Sequence, residues 1–400
     1  MPAQHLAPGV YVQEIPGRLR TISGVATSTA AFVGRTASGP TDQPVLISSV
    51  NDFERTYGGL AADCPLGFAV RHFFANGGTR AWIARIVHRD ANGVADERAP
   101  ITDDDIAHPS LAVQQRGLWL LDQADLFNVL CIPPLSRTTD VASGTWNIAI
   151  EYAKQRRAFV IVDPPAAWAG VSDALAGLDQ LIVRDPNAAL YFPRILAPDP
   201  LNSNLPDTFA PCGAVAGLYA RTDATRGVWK GPAGTDAELW GITGLAVNLT
   251  DPLNGQLNPV AINCLRSFPA YGHLVWGART LAGADALASE WKYVPVRRLA
   301  LFIEESLYRG TQWAVFEPNA EPLWASLRLS VGAFMRGLSR LGAFHGPTPQ
   351  HTHFVKCDAT TTTPNDVSAG VVNILVGFAP LKPAEFVILH LSVRAASPVS

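Results

Sequence analysis

The sequence predicts an α/β fold through the middle of the chain and an α+β protein overall, and three observations carry this. Short, continuously apolar runs at 126–132, 158–162 and 188–191 stop at Pro133-Pro134, Asp163-Pro164-Pro165 and Pro193, with helix-like stretches between them. Strands that are apolar on both faces and alternate with helices form sheets covered on both sides. The 400 residues exceed what one core holds, which implies two to three domains. After Gly283 the pattern changes to long helices followed by strands, so the C-terminal part forms a different domain.

The elements follow in order. Residues 9–15 are rich in β-formers and lie between Pro8 and Pro16-Gly17, which predicts a lone strand on a tether. A small-residue strand is expected over 25–33, then a loop at Ser38-Gly39-Pro40. A helix should start near Ser49, with Asp52 three residues on as a capping box. Residues 81–87 read as a strand, and 88–110, with Asp96, Glu97 and Asp103-Asp104-Asp105, as an exposed acidic connection. Towards the C-terminus, 291–296 reads as a strand and 297–310 as a helix with Leu299, Phe302, Ile303 and Leu307 on one side. The clearest helix follows, capped by Asn319 and begun by Pro322. Trp324, Leu327, Val331, Phe334, Leu338 and Leu341 recur on it at helical spacing, and Arg328, Arg336 and Arg340 are expected opposite them. Strands are expected at 351–358, 371–378 and 385–394, the last with Val387, Leu389, Leu391 and Val393 on one face.

Composition excludes several classes. Lys and Arg number 31 against 34 Asp and Glu, a net charge of −3, so the basic surplus of a duplex binder is missing. Charged residues make up 16% and hydrophobic residues 48%. A chain so poor in charge is expected to cover its surface with other subunits, since depletion of charge marks interface cores. The longest apolar stretches, 21–34 and 367–381, fall short of a bilayer span of about 18 residues. The start Met-Pro-Ala-Gln-His lacks a basic and apolar leader, so synthesis is expected to end in the cytosol. The five cysteines are scattered and odd in number, which argues for buried thiols over a disulfide framework.

Chemistry-bearing constellations are sparse. His351, His353 and Cys357 would share one face of a strand and are zinc-ligand types, but no fourth ligand accompanies them. An exposed histidine pair beside a buried thiol is the preferred reading. Asp163, at a strand end, sits where α/β enzymes place carboxylates, although the two prolines after it favour a structural turn. Arg221, Asp223, Arg226, Trp229 and Lys230 form either a polar pocket or a docking loop. Docking is preferred because arginine and tryptophan dominate interface hot spots. An α/β hydrolase or metal-dependent enzyme is thus the alternative to an assembling protein.

Several segments together resemble the contractile tail sheath family of long-tailed phages and phage-like injection particles. These are 8–14 (Pro-Gly-Val-Tyr-Val-Gln-Glu), 52–59 (Asp-Phe-Glu-Arg-Thr-Tyr-Gly-Gly), 73–81, 158–165, 216–223, 226–230 and 275–281, followed by Tyr293-Val294-Pro295-Val296-Arg297-Arg298-Leu299, 303–307, Phe316-Glu317-Pro318-Asn319 and 376–381. The resemblance implies a non-enzymatic subunit without cofactors, forming stacked six-membered rings around an inner tube, with baseplate and cap proteins as further partners. No nucleic-acid contact or stable membrane association is implied. It further implies synthesis in the bacterial cytoplasm and assembly into a virion tail or released particle, and the chain's compactness points towards an injection particle.

For domains, the resemblance implies an N-terminal extension at 1–20 and an outer α/β domain at 21–280, of subtilisin-like topology and open to subdivision near 88–110. A tube-facing domain at 281–384 and a C-terminal extension at 385–400 complete the layout. Strands exchanged between subunits would carry Val10, Tyr11 and Val12 at one end and Val387, Leu389 and Leu391 at the other, which agrees with a tethered strand at each end. Arg328, Arg336 and Arg340 are expected to face the tube, and Arg221, Asp223, Arg226 and Trp229 to dock on a neighbour.

Overall fold

The computed structural model describes residues 20–90 and 92–385. Of these, 25–305 with 380–385 form one compact unit and 20–24 with 306–379 another.

In the larger unit, β1 (Ala30–Gly34) is followed by β2 (Val45–Ile47), α1 (Val50–Tyr57), α2 (Pro65–Ala75) and β3 (Ala81–Arg85). Ser49 caps α1 as the sequence predicts, its hydroxyl accepting from the Asp52 N–H at 3.1 Å, while the Asp52 carboxylate turns back to Ser48. The strand expected over 25–33 begins only at Ala30. The acidic connection is less featureless than expected. It holds a hairpin, β4 (His88–Arg89) with β5 (Ala95–Asp96), then α3 (Asp103–Ala107), and α4 (Leu111–Gln114) follows it. Asp103 is drawn inward to accept from Thr145 Oγ1 at 2.6 Å, and Ile101 and Ile106 are buried.

β6 (Val129–Cys131), α5 (Ser143–Gln155), β7 (Phe159–Val162), α6 (Val171–Leu181) and β8 (Ala188–Phe192) realise the predicted alternation. After them come β9 (Ile195–Asp199), β10 (Leu205–Phe209), α7 (Cys212–Arg226), β11 (Gly244–Leu245), α8 (Asp251–Leu257), β12 (Ile262–Phe268) and β13 (Gly272–Val275). One eight-stranded sheet runs β13-β12-β8-β7-β6-β1-β3-β2, parallel except at its two edge strands. Alternate residues enter opposite cores. Val160 and Val162 pack with α5, α6 and Trp146, whereas Phe159 and Ile161 pack with α2 and α7. The contact of α2 with α7 is so close that a Cβ on Gly213 would lie 2.0 Å from the Ala69 carbonyl oxygen.

The strand expected over 291–296 is replaced by the start of α9 (Val294–Gly310). The β-branched Val294 and Val296 favour extension, but Pro295 suits a first helical turn, and Arg297 N–H donates to the Tyr293 carbonyl at 3.1 Å. The division between the units falls within α9.

The smaller unit holds α10 (Glu321–Arg340), α11 (Pro349–Thr352), β14 (His353–Lys356), α12 (Pro364–Ser368) and β15 (Leu375–Phe378). Its core gathers Leu323, Trp324, Leu327 and Cys357. Ala320, not Asn319, occupies the cap position of α10, because Asn319 Oδ1 is committed to the Trp324 indole N–H at 2.8 Å. The apolar stripe on α10 is shifted: Met335 is buried, Phe334 half-buried, and Leu341 lies past the helix end, largely exposed. No helix among the described residues is long and apolar enough to cross a membrane.

Candidate assembly surfaces

The residues expected to exchange between subunits (Val10, Tyr11, Val12, Val387, Leu389 and Leu391) lie outside the described residues. The smaller unit nevertheless shows a strand-pairing edge. β14 and β15 form an antiparallel pair, His353 opposite Phe378 and Lys356 opposite Leu375, and among the described residues this sheet has only two strands. Two-stranded sheets are marginal alone, and their outer edges present unpaired main-chain groups. Phe354 and Leu375 are each 53% exposed beside them. Such an edge favours the addition of a further strand.

The three arginines of α10 differ from one another. Arg328 is half-buried: it donates to Glu321 Oε1 at 2.7 Å and to the Cys357 carbonyl. At 100° per residue it stands only about 40° from Trp324, so it flanks the buried stripe where an opposite position was expected. Arg336 and Arg340, farther round, are exposed.

The cluster around α7 is knit into its own unit. The Arg221 guanidinium stacks on Trp240 with its carbon 3.7 Å from the ring centroid, and donates to the Asn76 carbonyl at 3.3 Å and to the Glu238 carbonyl. Asp223 takes both arms of Arg298, at 2.9 and 2.6 Å, with both side chains only 2% exposed. Arg298 also donates to the Thr27 carbonyl and lies over the Tyr219 ring. Arg226 pairs with Asp236 at 3.1 Å near the surface, and Lys230 donates to the Gly231 and Ala233 carbonyls. Trp229 is half-buried beside them.

Asp163 is buried at the end of β7, where one carboxylate oxygen accepts from the Cys212 N–H at the start of α7 at 2.8 Å. Among the described residues the other has no hydrogen-bond partner. Burial pushes its carboxyl up to about 7, although Cys212 and Arg194 pull the other way. The strand reading of 351–358 is corrected, since His351 belongs to the helical turn α11 and only His353 to β14. A helical turn breaks the two-residue period on which a common face with Cys357 depended. His351 Nδ1 faces Thr348 Oγ1 at 2.6 Å, His353 Nδ1 faces Thr352 Oγ1 at 3.0 Å, and Cys357 is buried. Among the described residues no three His, Cys, Asp or Glu side chains come together as a metal site.

One feature escaped the sequence reading. Arg279, 1% exposed, receives Glu385 in a two-pronged ion pair at 2.7 and 2.6 Å and also holds Asp285 at 3.0 Å. This fastens the root of the C-terminal segment to the larger unit. Their separation by 106 residues left no local signal, beyond an arginine inside the stretch 275–281.

Comparison with known proteins returns tail sheath proteins. A family model described as the phage tail sheath C-terminal domain matches residues 288–394. The likenesses that follow extend this similarity to contractile tail sheath proteins over nearly the whole chain. The chain is 27% identical to a prophage major tail sheath protein of Pseudomonas aeruginosa, over 94% of both chains. It is 24% identical to the tail sheath protein of Enterobacteria phage T4 over 182 residues, 45% of this chain, and this match spans about a quarter (26%) of that relative. Among solved structures, the PVC sheath complex of an extracellular contractile injection system, in its contracted state, superposes with a TM-score of 0.75. It is 27% identical, and the match covers 98% of each chain.

Proposed function

We propose that the chain is the structural subunit of a contractile sheath, which stacks as hexameric rings around an inner tube and shortens to drive that tube through a target envelope. The end-to-end likeness to a contractile injection sheath carries this reading. The open two-stranded edge of β14 and β15 supports it, because a strand lent by a neighbour would complete that sheet. Val10–Val12 and Val387–Leu391 are the strands we assign to this exchange, with 16–23 and 379–383 as hinges. Main-chain pairing would hold the mesh while softer domain contacts change during contraction. The subunit acts by assembly, without catalysis or a cofactor, and nothing in the comparisons supports a hydrolase or metal enzyme. The strand order in the large sheet, with neighbours added on both sides of β1, supports the subtilisin-like topology. Baseplate and cap proteins are the further partners, within a tail or released particle made in a bacterial cell. Removal of residues 1–15, or of 386–400, should leave the larger unit folded by circular dichroism and abolish sheaths in negative-stain images. Normal sheaths from either truncation would refute the exchange.

Tube contact falls to α10. Arg336 and Arg340 are freer for this than Arg328, which is occupied within the chain. Screened, exposed charges would grip weakly enough to release on firing. The double variant Arg336→Ala/Arg340→Ala should polymerise yet lose co-purifying tube; full retention of tube would remove the assignment.

A further inference from the structure

The larger unit carries a groove of about 650 Å³ whose lining includes Arg226, Trp229, Lys230, Trp276, Tyr293 and Lys382. Its charge balance is positive. Arg226 is answered by Asp236, and the one carboxylate in the lining, Glu385, is spent on the buried Arg279. Lys230 and Lys382 form no carboxylate pair among the described ion pairs. Burial, and after it Arg226, hold the Lys230 amine below its ordinary range, which a nearby anion would relieve. Trp229, Trp276 and Tyr293 add aromatic surface to the same lining.

A complementary shape stands on the same unit. The β4–β5 hairpin exposes Val94 (63%) between Asp90 and Asp96. Among the described residues those two carboxylates accept only from main-chain N–H groups of their own turns: Asn92 and Val94 for Asp90, Arg98 and Ala99 for Asp96. Neither joins an ion pair among the described residues.

We infer that the groove between Trp229 and Lys382 is the seat for the Asp90–Val94–Asp96 hairpin of a second copy of this chain. The valine would rest on the aromatic surface, while the aspartates meet Lys230 and Lys382. This deepens the sheath reading by naming one contact between subunits, and it gives Trp229 a specific partner. The charges set register and the apolar tip is desolvated, a division common at interfaces.

The test is crosslinking on mixing. A Val94→Cys chain and an Ala384→Cys chain, the latter altered on the groove wall, are combined with a short bismaleimide; the five native cysteines are buried. A covalent dimer should form when the two are mixed and not with either alone at the same concentration. Lys230→Glu/Lys382→Glu in the groove chain, or Asp90→Lys/Asp96→Lys in the hairpin chain, should each cut the yield about tenfold or more. Combining the two reversals should restore it. The neutral pair Asp90→Asn/Asp96→Asn, which keeps the turn bonds, should lower the yield as well. Absence of the crosslink in a chain that still forms rings in the microscope overturns the contact and leaves the sheath reading intact. A chain that does not self-associate at all overturns both.

Discussion

Replacing Asp223 by alanine is expected to destabilise the larger unit by about 3–5 kcal/mol, the cost of leaving a buried charge without its partner. The Arg298 guanidinium, 2% exposed, would keep the Thr27 carbonyl and the Tyr219 ring but lose the carboxylate that neutralises it. The apolar pair Asp223→Leu/Arg298→Met should recover most of that loss, since a buried ion pair is often matched by packed hydrocarbon. Thermal and urea melts of the unassembled chain provide the measurement. A Asp223→Ala protein that melts within about 1 kcal/mol of the parent, yet fails to form rings, would return Asp223 to the docking role read from the sequence.

The second large effect is in pH. The carboxyl of Asp163 titrates near 7 in the folded chain, well above its ordinary value of 3.8, chiefly because it is buried. A group that holds its proton more tightly when folded contributes its full stability below the unfolded value. That contribution is lost as pH rises from about 4 to about 7, by roughly 4 kcal/mol in all. Asp163→Asn keeps an oxygen for the Cys212 N–H and cannot ionise. The variant should therefore exceed the parent in stability at pH 8 and lose that advantage towards pH 4. His72, buried and pushed down to about 4, acts in the opposite sense, its stability falling away as pH drops below about 6.5, but it is common to both proteins and cancels in the difference. Parallel stability curves for the two proteins across pH 4–8 would show that Asp163 is not protonated near neutrality.

These two residues show how far the sequence could be read. It marked Asp163 as a strand-end carboxylate and Asp223 as a charged partner. What surrounds each was set by elements far along the chain, Cys212 for one and Arg298 for the other. The α/β alternation was legible because β6, β7 and β8 are apolar on both faces and each ends at a proline-marked turn. The start of α1 was legible because its capping groups lie within four residues of one another. The start of α9 was misread because two valines outweighed one proline in the local pattern, and the metal face dissolved when His351 entered a helical turn.

By itself the sequence determined the alternation of strands and helices, the scarcity of charge and the amphipathic run of α10, because all of these depend on neighbours a few residues apart. Only the tertiary structure decided that Arg279 meets Glu385, that Arg328 is occupied while Arg336 and Arg340 are exposed, and that a cationic groove and an acidic hairpin share one unit. Those outcomes join groups tens to hundreds of residues apart, and burial gives them their strength: a charge out of water must find a partner wherever the fold brings one.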